Sequence, residues 1–165
     1  MILSYYRTQS IILLSTLLLG ITVFVSQGHS DQITTGYPRV IDGDTVSVDG
    51  ERIRLHGIDA PEQKQFCTYN RNKWPCGRES TNALRLIISD NTIECHGKKR
   101  DRYQRLIAVC FLRHIDLNAY MVRNGWALAY RRYSKDYISE ELEAKVSSSG
   151  MWRGDFIPPW DWRKR

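Results

Sequence analysis

The sequence predicts an α+β domain or a small β-barrel, folded as one unit. Three observations support this. The chain has 165 residues, 42% of them apolar and 25% charged, which is enough to bury a core yet short enough for a single domain. Short apolar segments separated by Gly, Asp and Pro come first, as expected of strands joined by turns. Segments with apolar residues at helical spacing then alternate with further strands.

Short strands are predicted from residue 37 onward. The first, over 37–48, is interrupted by the Asp-Gly-Asp sequence at 42–44. An Asp-Gly pair at 49–50 is a strong signal for a two-residue hairpin turn. A second strand over 52–58 is therefore expected to return beside the first, with its apolar and polar residues on opposite faces.

Three helices are predicted further along the chain. The segment 77–90 has apolar residues at helical spacing. Asp116 is suited to capping a second helix that ends before Gly125. A third helix over 134–148 is expected to bury an apolar face made of Ile138, Leu142 and Val146.

The first thirty residues differ from the rest. The apolar run Ile11–Val25 would span roughly 22 Å as a helix, less than the roughly 30 Å core of a bilayer. This length fits the apolar region of a secretory signal peptide, with small residues following it as cleavage candidates. An uncleaved N-terminal membrane anchor is the alternative. In both cases we expect the domain beyond residue 30 to lie outside the cytoplasm, either periplasmic or secreted.

The chain is moderately basic, with 24 Lys and Arg, 18 Asp and Glu, and a formal net charge of +6. A basic surface suits a polyanionic partner such as nucleic acid or anionic lipid, although it is also typical of ordinary soluble proteins. Arg131, Arg132 and Lys135 are candidate nucleic-acid contacts, and a solvated basic face is the alternative for them. Trp160 and Trp162 lie in the basic tail, where they either stack on bases or pack on the domain.

The chain has four cysteines, Cys67, Cys76, Cys95 and Cys110. They lack C-x-x-C spacing, which argues against a zinc site, and their number suits an oxidising compartment. A hairpin centred near residues 102 and 103 would place Cys95 opposite Cys110. Cys67 and Cys76 would then close a loop within the polar segment 63–76. Four reduced thiols are the alternative.

Acidic residues occur near arginines at two places. Asp42 and Asp44 flank the break in the first strand, and Asp59 and Glu62 follow the end of the second. Each acid alone is typical of a turn or a solvated position. Arg54 precedes Asp59 by five residues, and Arg105 lies at the end of the next hairpin. Structural salt bridges are one interpretation of this arrangement.

Metal-assisted phosphodiester hydrolysis is the other. In a basic protein, a cluster of acids would repel a phosphate unless a cation bridged them. Oxygen ligands without His or Cys select a hard ion, Ca²⁺ or Mg²⁺. Guanidinium groups match phosphate oxygens. A metal, two arginines and a free carboxylate are the groups that such a reaction requires.

Three segments resemble the signature segments of the staphylococcal nuclease family, in the same order and with similar separations. They are VIDGDTVSV (40–48), IRLHGIDAPE (53–62) and DRYQRLIAVCF (101–111). The segments 118–130 and 148–156 are also similar to bacterial members of the family. The resemblance covers about 37–163, and a nuclease domain over 36–163 is expected.

The resemblance implies a small OB-type Greek-key barrel with about three packed helices. It also implies cleavage of DNA and RNA with one Ca²⁺ ion, leaving 3′-phosphate ends. No protein partner is implied, and a monomer is expected. A catalytically silent OB-fold module that binds nucleic acid is the main alternative, and a membrane-anchored structural protein with a pseudo-active site is a third.

The resemblance assigns four positions to the metal site. Asp44 and Asp59 would be the carboxylate ligands of calcium, and the backbone carbonyl of Ala60 would be a third ligand. Asp42 would support the site without necessarily contacting the ion. The family's best-known member has threonine at the position of Ala60, but a main-chain oxygen is retained after this change.

The resemblance assigns three side chains to catalysis. Glu62 would orient or deprotonate the attacking water, and Arg54 and Arg105 would bind the scissile phosphate. Gln104 departs from the family pattern because glycine is usual before the second arginine. The turn at 49–52 is also shorter than in the staphylococcal enzyme.

Overall fold

The computed structural model describes residues 31–165, and the predicted leader over 1–30 lies outside the described residues. The main sheet has seven strands, which are β1 Gln32–Gly36, β2 Pro38–Asp42, β3 Thr45–Val48, β4 Glu51–Leu55, β8 Ile93–Arg100, β9 Leu106–Leu112 and β10 Ile115–Asp116. Their order in the sheet is β1-β8-β9-β4-β3-β2, with β10 paired to β9. All pairs are antiparallel except β4 with β9.

Four further short strands form two separate pairs. They are β5 Ile58–Asp59, which pairs with β11 Leu128–Ala129, and β6 Cys67–Tyr69, which pairs with β7 Asn72–Trp74. The β6–β7 hairpin lies within the segment 63–76, which was predicted to be a loop. The first strand, β1, lies before residue 37 and was also missed by the sequence prediction.

The predicted hairpin turns are present. Asp49 and Gly50 both have positive φ angles, of 49° and 84°, as a two-residue turn with its twist matched to the strands requires. In the next hairpin Cys95 lies directly opposite Cys110. The structure contains the Cys95–Cys110 and Cys67–Cys76 disulfides, and none of the cysteines among residues 31–165 is free.

The helices are α1 Cys76–Ile88, α2 Leu117–Arg123, α3 Ile138–Val146 and the four-residue α4 Pro159–Trp162, with a 3₁₀ turn at Gly150–Arg153. The Asp116 side chain accepts a hydrogen bond from the backbone N–H of Ala119 at the start of α2, which confirms the predicted cap. Within the described residues, the helices are all too short or too polar to cross a membrane.

The predicted apolar face of α3 is wrong for two of its three residues, since Ile138 packs against the core but the other two do not. Leu142 and Val146 are 53% and 88% exposed, whereas Glu141 is 1% exposed. Glu141 is buried because it accepts hydrogen bonds from the backbone N–H of Ala129 and from the side chains of Arg131 and Lys145. The face of α3 that is buried therefore carries Glu141 and Ala144 instead of Leu142 and Val146.

The core of the fold lies between the sheet and helices α1 and α2. It includes Val46, Ile53, Leu84, Leu106 and Met121, each at most 1% exposed. A smaller cluster lies under the β6–β7 hairpin, where the Cys67–Cys76 disulfide meets Leu128 and Met151. The molecule is an OB-fold-like α+β barrel, as the sequence predicted.

Candidate active site

The Asp-Gly-Asp sequence at 42–44 forms the connection between β2 and β3. The register of the two strands shifts between Val40 and Asp42, and the backbone N–H of Asp44 donates to Oδ1 of Asp42 at 3.1 Å. A Cβ atom at Gly43 would lie 2.0 Å from Oγ of Ser80 on α1. Glycine is therefore required for this connection to pack against the helix, and the packing fixes the position of Asp44.

The second acidic segment begins in β5. Asp59 is fully buried and pairs with Leu128 of β11. The backbone N–H of the next residue, Ala60, donates a 2.6 Å hydrogen bond to Oδ2 of Asp44. This bond joins the two segments that carry the proposed metal ligands.

Arg54 connects the same two carboxylates. Its register partner in the sheet is Thr45, the residue after Asp44, so its side chain lies beside the β2–β3 connection. NH1 lies 3.1 Å from Oδ2 of Asp44, and NH2 lies 2.9 Å from Oδ1 of Asp59. The spacing of five residues between Arg54 and Asp59 thus brings them into direct contact.

Glu62 lies at the start of the loop after β5, with its side chain 37% exposed. Its backbone N–H donates to Oε1 of Gln65, whose Nε2 donates to the backbone oxygen of Ile157. A Cβ atom at Gly77 would lie 1.7 Å from the backbone oxygen of Glu62. Close packing against the start of α1 therefore holds Glu62 next to the buried acids.

The structure adds Arg163, a site residue that the sequence analysis missed. Its guanidinium bonds both oxygens of Asp59, with NH1 3.1 Å from Oδ1 and NH2 2.8 Å from Oδ2. NH1 also lies 2.9 Å from Oε1 of Glu62. Arg163 follows α4, about a hundred residues beyond its partners, and no local sequence pattern indicates such a contact.

The clustering of acids changes their protonation. Burial and the neighbouring Asp44 carboxylate raise the pKa of Asp42 to about 7. Burial also raises the pKa of Asp59 to about 6, even though Arg163 and Arg54 favour its charged form. For Arg163, the hydrogen bonds and charges of Asp59 and Glu62 outweigh burial and raise its pKa. The site is an acidic centre that requires cations around it.

Arg105 lies at the far end of the β8–β9 hairpin. Its Nε and NH2 atoms contact Oδ2 of Asp101 at 2.7 and 2.6 Å. Tyr103 lies beside it, with the Arg105 guanidinium 5.5 Å from the ring centre. Gln104 stands where glycine is usual in the family, and its φ of 64° lies in the left-handed region that favours glycine.

A cleft of about 1430 Å³ brings these groups together. Asp42, Asp44, Arg54, Ala60, Glu62, Arg105 and Arg163 all line it. Asp59 does not line the cleft itself, but it contacts Arg54 and Arg163, which do. The cleft also has four aromatic side chains in its walls, Tyr103, Tyr130, Tyr133 and Trp160.

The three basic residues proposed to contact nucleic acid are placed differently. Arg131 and Arg132 line the cleft, whereas Lys135 is exposed but is not among the residues that line it. Arg131 is held by Glu141, 2.6 Å from its NH2 atom. Trp160 stacks on Tyr130, with the ring centres 5.5 Å apart and the planes 7° from parallel, so it packs on the domain.

The donor set fits a hard cation. The carboxylates of Asp44 and Asp59 contact one guanidinium, and the main chain of Ala60 adjoins both. Oxygen donors and a buried excess of negative charge are what Ca²⁺ or Mg²⁺ require. Among residues 31–165, no three His, Cys, Asp or Glu side chains are arranged to hold a metal. A metal here would therefore depend on two carboxylates and main-chain or water oxygens.

Comparisons with known proteins place the chain in a family. The family described as staphylococcal nuclease homologue matches residues 52–154. The succinoglycan biosynthesis protein ExoI of Rhizobium meliloti (strain 1021) is 37% identical over 122 residues, which cover 72% of this chain and 64% of that protein. The chain thus spans just under two thirds of this relative.

Two other relatives carry nuclease names. An uncharacterized endonuclease of Escherichia coli O157:H7 is 36% identical over 135 residues, covering 77% of this chain and 82% of that protein. A probable staphylococcal-like nuclease CAN3 of Oryza sativa subsp. japonica is 34% identical over 116 residues, covering 68% of this chain and 28% of that protein. The chain therefore belongs to the family of staphylococcal nuclease homologues.

Proposed function

We propose that this protein is an exported, calcium-dependent nuclease that hydrolyses phosphodiester bonds of DNA and RNA and leaves 3′-phosphate ends. The observation that carries the proposal is the convergence of Asp44, Arg54 and Glu62 on a cleft that Arg105 also lines, with Asp59 buried in contact with Arg54. Family membership and the endonuclease names of the relatives support a nuclease.

The two arginines bind the scissile phosphate in this proposal. Asp44 and Asp59 hold the Arg54 side chain, and Asp101 holds that of Arg105. Both side chains line the cleft and are partly exposed, by 15% and 21%. Planar guanidinium groups pair with two phosphate oxygens at once. Because they are positioned before substrate arrives, they stabilise the charge that builds on those oxygens in the transition state.

Glu62 orients the attacking water and accepts its proton. The water oxygen forms a bond to phosphorus while one of its protons passes to Glu62, and the bond from phosphorus to the 5′ oxygen breaks. The 5′ oxygen takes a proton from solvent water, and Glu62 returns its proton to solvent. The phosphate then remains on the 3′ side. Glu62 suits this role because its side chain is 37% exposed, whereas those of Asp44 and Asp59 are 9% and 0% exposed, and because its backbone is fixed by the close contact to Gly77.

Asp44, Asp59 and the backbone carbonyl of Ala60 would hold the calcium ion, and Asp42 would support them through its bond to the backbone of Asp44. When bound, the ion supplies positive charge that polarises a phosphate oxygen. Ca²⁺ is preferred to Mg²⁺ because a site of two carboxylates, a carbonyl and waters is flexible, whereas Mg²⁺ demands near-ideal octahedral geometry.

The cleft walls suit a nucleic-acid strand. Aromatic rings provide surfaces for bases, and Arg131 and Arg132 provide charge for the backbone. We propose that the protein acts as a monomer on single- or double-stranded substrates, with the nuclease domain over 36–163. The two disulfides support a location outside the cytoplasm, with residues 1–30 as a signal peptide or an anchor.

Incubation of the purified protein with single- and double-stranded DNA and with RNA tests the proposal. Each substrate is supplied with Ca²⁺, with Mg²⁺ or with chelator, and the product ends are analysed. We expect the fastest cleavage with Ca²⁺, none in chelator, and 3′-phosphate ends. Full activity in chelator or with Mg²⁺ alone would contradict the calcium assignment. Binding of every substrate without cleavage would instead support a silent nucleic-acid-binding module.

A further inference from the structure

The C-terminal segment packs against the site in two parts that are held by different kinds of contact. The part before Pro158 is fixed by hydrogen bonds to its main chain. The backbones of Thr68 and Asp155 exchange two 2.8 Å hydrogen bonds, and Nε2 of the Gln65 side chain donates to the backbone oxygen of Ile157. The part after Pro158 is the short helix α4 followed by Arg163. Its contacts with the cleft are made by side chains.

Side-chain contacts hold this second part against the domain. Trp160 stacks on Tyr130 and packs against the cluster of Cys67, Cys76, Leu128 and Met151, and Pro159 is buried. Arg163 makes two bonds to Asp59 and one to Glu62, while its own side chain is 38% exposed. Side-chain contacts of this kind exchange with solvent more easily than a backbone pairing in which every donor is matched.

Arg163 takes the oxygens that a cation would need. Oδ2 of Asp59 bonds NH2 of Arg163, and Oδ1 is shared between NH1 of Arg163 and NH2 of Arg54. Both oxygens of Asp59 are therefore already bonded to guanidinium N–H groups. A divalent cation and Arg163 therefore compete for Asp59.

We propose that the segment Pro159–Arg163 is an internal gate, in which Arg163 neutralises Asp59 and Glu62 until a divalent cation displaces it. The proposal rests on the metal site proposed above. The gate keeps the buried acids paired in the absence of metal, and it makes metal entry depend on release of the segment. It also raises the metal concentration at which Asp59 becomes available.

Calorimetric titration of Ca²⁺ into the purified full chain tests the gate. Arg163→Ala removes the guanidinium that competes with Ca²⁺ for Asp59. Arg165→Ala is the matched control, because it removes the same charge two residues away and its side chain makes no salt bridge within residues 31–165. Charge-assisted hydrogen bonds are among the stronger polar contacts. We therefore expect Arg163→Ala to bind Ca²⁺ about tenfold more tightly than Arg165→Ala does.

Two further variants separate the gate from the metal site. Asp59→Asn should abolish Ca²⁺ binding, and undiminished binding would show that the metal site is assigned wrongly. Trp160→Ala frees α4 without changing charge, so it should also tighten Ca²⁺ binding, and it serves if Arg163→Ala does not fold. Equal Ca²⁺ affinity in wild type, Trp160→Ala and Arg163→Ala, with binding lost in Asp59→Asn, would overturn the gate and leave the site intact.

Thermal unfolding in chelator gives a second readout that is independent of catalysis. Without metal, Arg163→Ala leaves Asp59 with one fewer partner, so its melting temperature should fall below that of Arg165→Ala. Saturating Ca²⁺ should remove most of this difference, because the cation then replaces Arg163. A difference that persists unchanged in Ca²⁺ would contradict displacement.

Discussion

The Asp44 carboxylate accepts a 2.6 Å hydrogen bond from the backbone N–H of Ala60, sixteen residues further along the chain. The same carboxylate lies 3.1 Å from the Arg54 guanidinium. Asp44 is only 6% exposed, so water does not readily compete for these bonds to its carboxylate. It therefore holds the two acid-bearing segments together, in addition to its proposed role as a metal ligand.

This dual role predicts different effects for two substitutions at Asp44. Asp44→Ala leaves the N–H of Ala60 without an acceptor and should lower the free energy of unfolding by about 1–3 kcal/mol. Asp44→Asn retains an acceptor oxygen and should cost clearly less. Urea denaturation in chelator, where metal does not contribute, measures both. Equal losses would show that the bond to Ala60 is unimportant for stability.

Glu141 predicts a pH-dependent contribution to stability. Burial alone would raise its pKa, but the hydrogen bonds from Arg131 and Lys145 outweigh burial and lower the pKa below its ordinary value of 4.5. The folded protein therefore holds this proton less tightly than the unfolded chain does. The resulting stabilisation is complete above about pH 4.5 and is lost as the pH falls through the lowered pKa.

Glu141→Gln should accordingly lower the free energy of unfolding by about 1–3 kcal/mol at pH 7, and by less as the pH falls below 4.5. Urea titrations at several pH values measure this trend. Glu143→Gln is the matched control, since Glu143 is on the same helix with its side chain 56% exposed, and should have little effect. A deficit for Glu141→Gln that is constant down to low pH would refute the linkage.

The two disulfides predict that the natively exported protein has no titratable thiols until it is reduced. The bridges close loops with sequence separations of 9 and 15 residues. By loop-closure entropy, each should contribute about 2–3 kcal/mol to the free energy of unfolding. Denaturant unfolding of the Cys67→Ser, Cys76→Ser pair and of the Cys95→Ser, Cys110→Ser pair measures the two contributions. Four thiols in native material would disprove the bridges, though not the nuclease.

The backbone conformation of Gln104 predicts that a glycine is tolerated at this position. A φ of 64° destabilises the folded state by about 1 kcal/mol for any residue with a Cβ atom, and glycine avoids this strain. Glycine also loses more conformational entropy on folding, which offsets part of the gain. Gln104→Gly should therefore unfold with about the wild-type free energy or slightly more. Gln104→Val, which is β-branched, should be clearly less stable. A large loss of stability in Gln104→Gly would mean that the Gln104 side chain makes an important contact.

Much of the barrel was predictable because its signals are local. The Asp-Gly turn at 49–50, the cap at Asp116 and the pairing of Cys95 with Cys110 each depend on residues close in sequence or on one hairpin register. The contact between Arg54 and Asp59 joins residues five positions apart and agrees with the salt-bridge interpretation of these acids and arginines. Such features can be predicted from the sequence because residues close along the chain are enough to form them.

The rest depends on contacts that sequence spacing does not encode. The buried face of α3 is set by Glu141 and its partners, which outweigh the apolar periodicity. The contact of Arg163 with Asp59 joins residues about a hundred positions apart. The short strands β1, β6 and β7 are polar or irregular, and they form because the barrel edge and the Cys67–Cys76 disulfide provide their partners.

Arg54 is the residue on which the catalytic claim depends most directly. It contacts both proposed metal ligands, it is only partly exposed, and it lines the cleft. Arg52 lies two residues before it on β4, is exposed, and is absent from the cleft lining. The two arginines therefore form a matched pair that differs in access to the phosphate.

The most direct test compares cleavage and binding of single-stranded DNA by Arg54→Ala and Arg52→Ala in Ca²⁺. We expect Arg54→Ala to stay folded and keep most of its DNA affinity while its cleavage rate falls about 10²–10³-fold. Glu62→Ala and Arg105→Ala should behave similarly, and Arg54→Lys should not restore the rate. Arg52→Ala should cleave like wild type. Cleavage by Arg54→Ala at the wild-type rate would contradict the account.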